Sequence, residues 1–177
     1  RLVPLALSRI SDAEQNWGNK AVWQVVSASQ VGDWAPPSST GQLIYDTLSA
    51  HIHPLKATRA LAQAVENLGG VITPAGARQG AIIDARGWQG LIEISETLGQ
   101  EFGNGVKGQA ALLDFNSSGK PQLFSDGLHV VPHLDGTVGI GSTSERYFKS
   151  PIKNDEQLDE LISKSKKLFP ILKGAPV

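Results

Sequence analysis

The 177-residue chain contains no cysteine and no methionine. Without thiols it can form no disulfide, no thiolate metal site and no cysteine nucleophile, and a cytoplasmic setting fits this composition. Net charge is nearly absent as well. Sixteen Lys and Arg stand against seventeen Asp and Glu, giving −1, so nothing points to nucleic acid or an anionic membrane as a partner. No run of about 18 apolar residues could span a bilayer, and no basic-then-apolar segment opens the chain. Aromatics are sparse at 6%, and the Trp residues at 17, 23, 34 and 88 read as packing rather than stacking platforms. With Arg1 first and no Met anywhere, the sequence is expected to be a piece of something longer.

What remains is 40% hydrophobic residues and 19% charged ones, ordinary for a globular domain with one core. Pro54 opens a helix whose Ala57, Leu61, Ala64/Val65 and Leu68 share a stripe that stops at Gly69-Gly70. A second helix is predicted from Asn154 as N-cap, with Gln157 three residues on. Its acids come early, its lysines late, and its stripe is Leu158, Leu161, Ile162 and Leu168 before Pro170. A shorter helix follows Gly90, with Leu91, Ile94 and Leu98 inward. Strands are predicted at 22–28, 42–46, 81–85, 106–115, 121–126, 129–133 and 137–143. Asn116-Ser-Ser-Gly119 and Asp135-Gly136 read as turns, so the last four strands form a consecutive antiparallel meander. The class is α+β, a mainly antiparallel β-sheet with helices packed on it, and residues 1–177 form a single domain. The segment after "WAPP" (34–41) reads as the most exposed loop.

Gly139-Ile-Gly141 is the chain's nearest approach to a phosphate loop. A dinucleotide fingerprint needs a third glycine and a following helix, whereas Ser144 and "ERYFKSP" follow here, on the returning arm of a hairpin. The sequence therefore excludes a dinucleotide fold within the chain. The histidines fall into two pairs, His51/His53 and His129/His133. His51 and His53 have a spacing that can hold a metal, but no acid cluster accompanies them. A histidine facing a substrate, as donor or local positive charge, remains open. A Ser142–His129–Asp135 hydrolase lacks a nucleophile elbow. Lys107 and Gln109 share one face of a strand. They either line an exposed polar surface or border a site that Gly108 lets another group approach.

In order, "GQLIYDTLSAHIHP", a helix ending in Gly-Gly, "AIIDARGW", "VKGQ", "LHVVPHLDGTVGIGSTSE" and "LFPILKGAPV" resemble the FAD-dependent oxidoreductases of the D-amino acid oxidase and glycine oxidase superfamily. There, a substrate-binding domain is interleaved with a flavin-binding domain. The resemblance covers most of the chain from about Leu43, and it implies a substrate-binding domain whose FAD domain is mostly missing. Residues 81–90 would be a remnant of the flavin-domain junction. The implied cofactor is FAD, not held by this chain alone, and the implied partners are an amine or amino-acid substrate and the missing FAD domain. Gly87 matches the glycine that passes close to the flavin, and Arg86 stands where a Thr is usual. Lys107, Gly108 and Gln109 would belong to the junction with the flavin site. His129 takes the place of a Tyr that helps hold the substrate carboxylate, and His51 lies at the crossing between domains. The activity implied for the full-length parent is oxidation of an amine or amino acid by hydride transfer to flavin. The rival readings are a non-catalytic binding or assembly module and, last, a histidine metal site.

Overall fold

The computed structural model describes residues 2–177 and is α+β, with antiparallel sheets and helices. Its elements are α1 (Leu2–Trp17), β1 (Trp23–Ser27), α2 (Ala28–Val31), β2 (Gln42–Asp46), α3 (Pro54–Asn67), α4 (Trp88–Leu98), β3 (Ala110–Asp114), β4 (Leu123–Ser125), β5 (Leu128–Pro132), β6 (Thr137–Gly141) and α5 (Glu156–Leu168). Contacts divide it into two compact units: residues 2–51, 109–143 and 154–177 form the first, and 52–108 with 144–153 the second.

The first unit holds the core. Its four-stranded sheet runs β3-β6-β5-β4, every pair antiparallel. The strands alternate strictly. Leu113, Leu123, Leu128, Val130, Val138 and Ile140 point to one face and are buried with Leu158 and Leu161 of α5, Phe169, Leu172 and Trp34. Each such aliphatic side chain contributes about 1.5–3 kcal/mol by leaving water. Trp34 is locked in place by its indole N–H, which donates to the Pro121 carbonyl at 2.9 Å. The loop that follows, 38–41, is largely exposed, as expected.

The meander is confirmed for β4-β5-β6, and the Asp135-Gly136 turn joins β5 to β6, with Gly136 at φ 86°. The order of β3 is corrected: it pairs with β6, not β4, because its alternating apolar face matches Val138 and Ile140 across the ladder. The strand expected over 106–115 is regular only over 110–114, with an isolated bridge at Lys107–Glu145. β1 and β2 form a separate antiparallel pair. Helix α1 was not anticipated, although Val3, Ala6, Ile10, Ala13 and Trp17 recur at helical spacing and Gly18 (φ 59°) ends it. It packs on β1, where Trp17 meets Trp23 edge-on at 6.3 Å and the Trp23 indole donates to the Ala6 carbonyl. Helix α5 is capped by Asp155, one residue later than expected, its carboxylate accepting from the Gln157 N–H at 3.2 Å.

The second unit carries α3 and α4. Gly87 (φ 67°) caps α4, so this helix starts at Trp88, ahead of Gly90. Helix α3 begins at Pro54 as expected, but its apolar stripe is left exposed, Leu61 and Leu68 foremost. The strand expected at 81–85 does not form. Ala81–Arg86 is irregular and exposed, because no strand in the second unit pairs with it.

Candidate functional site

Alternation that buries one face of the four-stranded sheet turns the other outward. Across it, cross-strand register aligns Phe124, His129, Gly141 and Ala110 in one row, and Val131, Gly139 and Leu112 in the next. The His129 imidazole is exposed and lies against the Phe124 ring, centroids 4.7 Å apart and tilted by 42°. Beside it β6 presents no side chain of its own at Gly139 or Gly141, which pair with Val131 and Leu112 and with His129 and Ala110.

Close neighbours demand these two glycines. A Cβ at Gly141 would sit 3.1 Å from the Ala110 Cβ, and one at Gly139 3.4 Å from the His133 ring. His133 is buried, and its Nδ1 is 2.9 Å from the Thr137 hydroxyl, which in turn donates to Asp135 at 2.8 Å. Sequence reasoning gave His133 no role. Its signal was the i, i+4 spacing from Thr137 across the Asp-Gly turn.

The remaining candidates fall elsewhere. Gln109 belongs to the first unit but points to the core side, away from His129. Its amide nitrogen donates to Asp155 at 2.7 Å, its amide oxygen accepts from the Asp155 N–H at 3.1 Å, and its own N–H donates to the Thr143 hydroxyl. Gln109 therefore holds the start of α5. His51 is exposed in the irregular segment after β2.

Lys107, Gly108, Gly87 and Arg86 all belong to the second unit. Lys107 is buried, its ammonium 3.4 Å from the equally buried Glu145 carboxylate, and the two residues exchange both backbone hydrogen bonds. Of the two readings of Lys107 and Gln109, the exposed polar face is not found: both side chains are buried and bound to acids. Lys107 and Gly108 line a cleft of about 210 Å³ with Trp88, Gly105, Val106 and Phe148. The Trp88 ring packs on Gly105, where a Cβ would meet it at 3.2 Å. Arg86 forks onto Asp84, with bonds of 2.6 and 2.9 Å, and reaches Glu93. The Arg86 side-chain and backbone hydrogen bonds hold the Asp84 carboxyl down at about 2, and both acids raise the Arg86 guanidinium.

Among the described residues no group of three or more His, Asp or Glu could hold a metal ion, and no helix is long and apolar enough to cross a membrane. The pyrophosphate of FAD needs a glycine-lined helix N-terminus. The paired glycines Gly139 and Gly141 lie within a strand with their space taken by neighbours, so this pair does not fit that part of the cofactor. Compared with known proteins, residues 3–177 match the family model described as FAD dependent oxidoreductase. No curated protein matches the chain.

Proposed function

Because the chain belongs to the FAD dependent oxidoreductases of the D-amino acid oxidase-like superfamily, we propose that it forms the substrate-facing part of an enzyme oxidising an amine or amino acid. The outer face of the β3-β6-β5-β4 sheet carries this reading. It sets one exposed hydrogen-bonding imidazole, His129, within a border of apolar side chains, Phe124 and Leu112 among them. Such a face suits a small molecule with one polar end and an aliphatic body.

The flavin, when bound, supplies the hydride acceptor, and no protein side chain can replace it in that role. The residues of this chain bind and orient. His129 donates a hydrogen bond or positive charge to a substrate carboxylate. Phe124 and Val131 keep water from one side of it. In the second unit, the Lys107–Glu145 pair fixes the segment bearing Gly108. Gly87 sets the start of the helix that carries Trp88. These, with Arg86, are the positions assigned to the cofactor side.

The dinucleotide itself is assigned to polypeptide that this chain works with, the FAD domain. The exposed stripe of α3 and the strand-like but unpaired segment 81–85 support that partner: an amphipathic helix followed in the chain by an unmet strand pattern is the local signature of an α/β layer. Anaerobic mixing of the flavin-loaded enzyme with a panel of amines and D- and L-amino acids tests the proposal. Bleaching of the oxidised flavin by at least one of them is expected. A flavin that stays oxidised with the whole panel refutes the amine-oxidising reading.

A further inference from the structure

The segment between α4 and β3 contains Asn104-Gly105, and of the six asparagines in the chain only Asn104 precedes a glycine. The Gly105 N–H donates to the Asn104 side-chain carbonyl oxygen at 2.7 Å, so the backbone nitrogen is already held beside the carbonyl group it would attack. The Asn104 side chain is exposed, and Gly105 is held in place beneath Trp88. Three of the other five asparagines are arranged differently. Asn16 and Asn67 lie in helices, whose backbone keeps the following nitrogen away from the side chain. The Asn116 carbonyl is engaged by the nitrogen of Ser118, two residues on.

We infer that Asn104 is a site of spontaneous deamidation in the folded protein, with an isoaspartyl linkage as its product. The Gly105 nitrogen loses its proton to solvent base and forms a bond to the Asn104 side-chain carbonyl carbon. The bond from that carbon to the side-chain nitrogen breaks, and ammonia leaves with a proton from water. Water then opens the cyclic imide at one carbonyl or the other, giving aspartate or isoaspartate, with no oxidant or reductant involved. Glycine favours the step because no Cβ hinders the attacking nitrogen, and asparagine is among the thermolabile residues.

The position gives the change a consequence. An isoaspartate lengthens the main chain by one carbon between Gly103 and Gly105, and either product adds a carboxylate three residues before Lys107. The wall of the Trp88–Lys107 cleft is thereby altered in both shape and charge, which makes Asn104 an ageing site of the second unit.

The test incubates the intact protein at a series of pH values from neutral upward and follows each asparagine by peptide mapping and mass spectrometry. Labelling by an isoaspartyl methyltransferase reports the linkage. A parallel sample is kept unfolded in urea. Conversion of Asn104 ahead of the five others, at least as fast folded as unfolded and faster at higher pH, is the expected result. Methyl labelling should be lost in Asn104→Gln. Protection of Asn104 in the folded protein while the urea sample converts overturns the inference, as does another asparagine reacting first. Gly105→Ala is not relied on, since its Cβ would press on Trp88.

Discussion

Substituting Glu145→Gln removes one charge from a pair that water does not reach. The Lys107 ammonium and the Glu145 carboxylate are 3.4 Å apart, with side chains only 4% and 2% exposed. Two buried charges at that distance offset most of each other's desolvation; one left alone does not. The amide keeps the shape of the carboxylate, so packing changes little and the loss isolates the charge. It is expected to cost about 3–5 kcal/mol, which for a chain of this size lowers the melting temperature by about 6–20 °C. The double substitution Lys107→Met with Glu145→Leu should recover most of that loss, because an apolar pair of similar volume has no charge to bury. Thermal and urea unfolding followed by tryptophan fluorescence reads all three proteins. A loss in Glu145→Gln of under about 1 kcal/mol, the value of a surface pair, would falsify the claim that this bridge is a buried and mutually dependent pair.

Asp155→Ala removes both the cap of α5 and the partner of Gln109, and a loss of about 0.5–2 kcal/mol is expected in urea unfolding; no loss means that the cap is idle. Gly141→Ala forces a methyl to within 3.1 Å of the Ala110 Cβ, and overpacking of this kind costs about 1–3 kcal/mol. Pairing it with Ala110→Gly should return part of the loss, and failure to do so places the strain elsewhere. The Asp84 carboxyl, lowered from 3.8 to about 2 by Arg86, binds its proton more weakly folded than unfolded. Its contribution is therefore full above pH 3.8 and lost as pH falls toward 2. A carboxyl NMR titration should place its midpoint near 2, moving up to the ordinary range in Arg86→Met; a midpoint that stays put separates Asp84 from Arg86.

Strand alternation and turn residues made β4, β5, β6 and their hairpin legible, because a half-buried strand writes its register directly into sequence. Helix α5 was legible for the same reason, its stripe and charge gradient being local properties. The pairing of β3 with β6 was not, since which edge a strand joins depends on the whole face it must cover. Segment 81–85 has strand-forming residues and no strand, because a strand needs a partner backbone that the second unit does not provide. At the candidate site, an exposed His129 on the outward face follows from the period-two pattern alone. The engagement of Gln109 with Asp155, 46 residues away, and of Lys107 with Glu145 could not be read. Side chains at such separations are brought together only by tertiary structure.

The central claim is that the outward face of the four-stranded sheet meets the substrate through His129. Steady-state kinetics of His129→Ala in the flavin-loaded enzyme, with whichever amine reduces the wild-type flavin, test it most directly. Loss of one hydrogen bond to a charged group is worth about 1.5–3 kcal/mol. A fall in kcat/KM of roughly 10–150-fold is expected, with the protein's melting temperature unchanged. An unaltered kcat/KM and an unaltered apparent substrate affinity would contradict it.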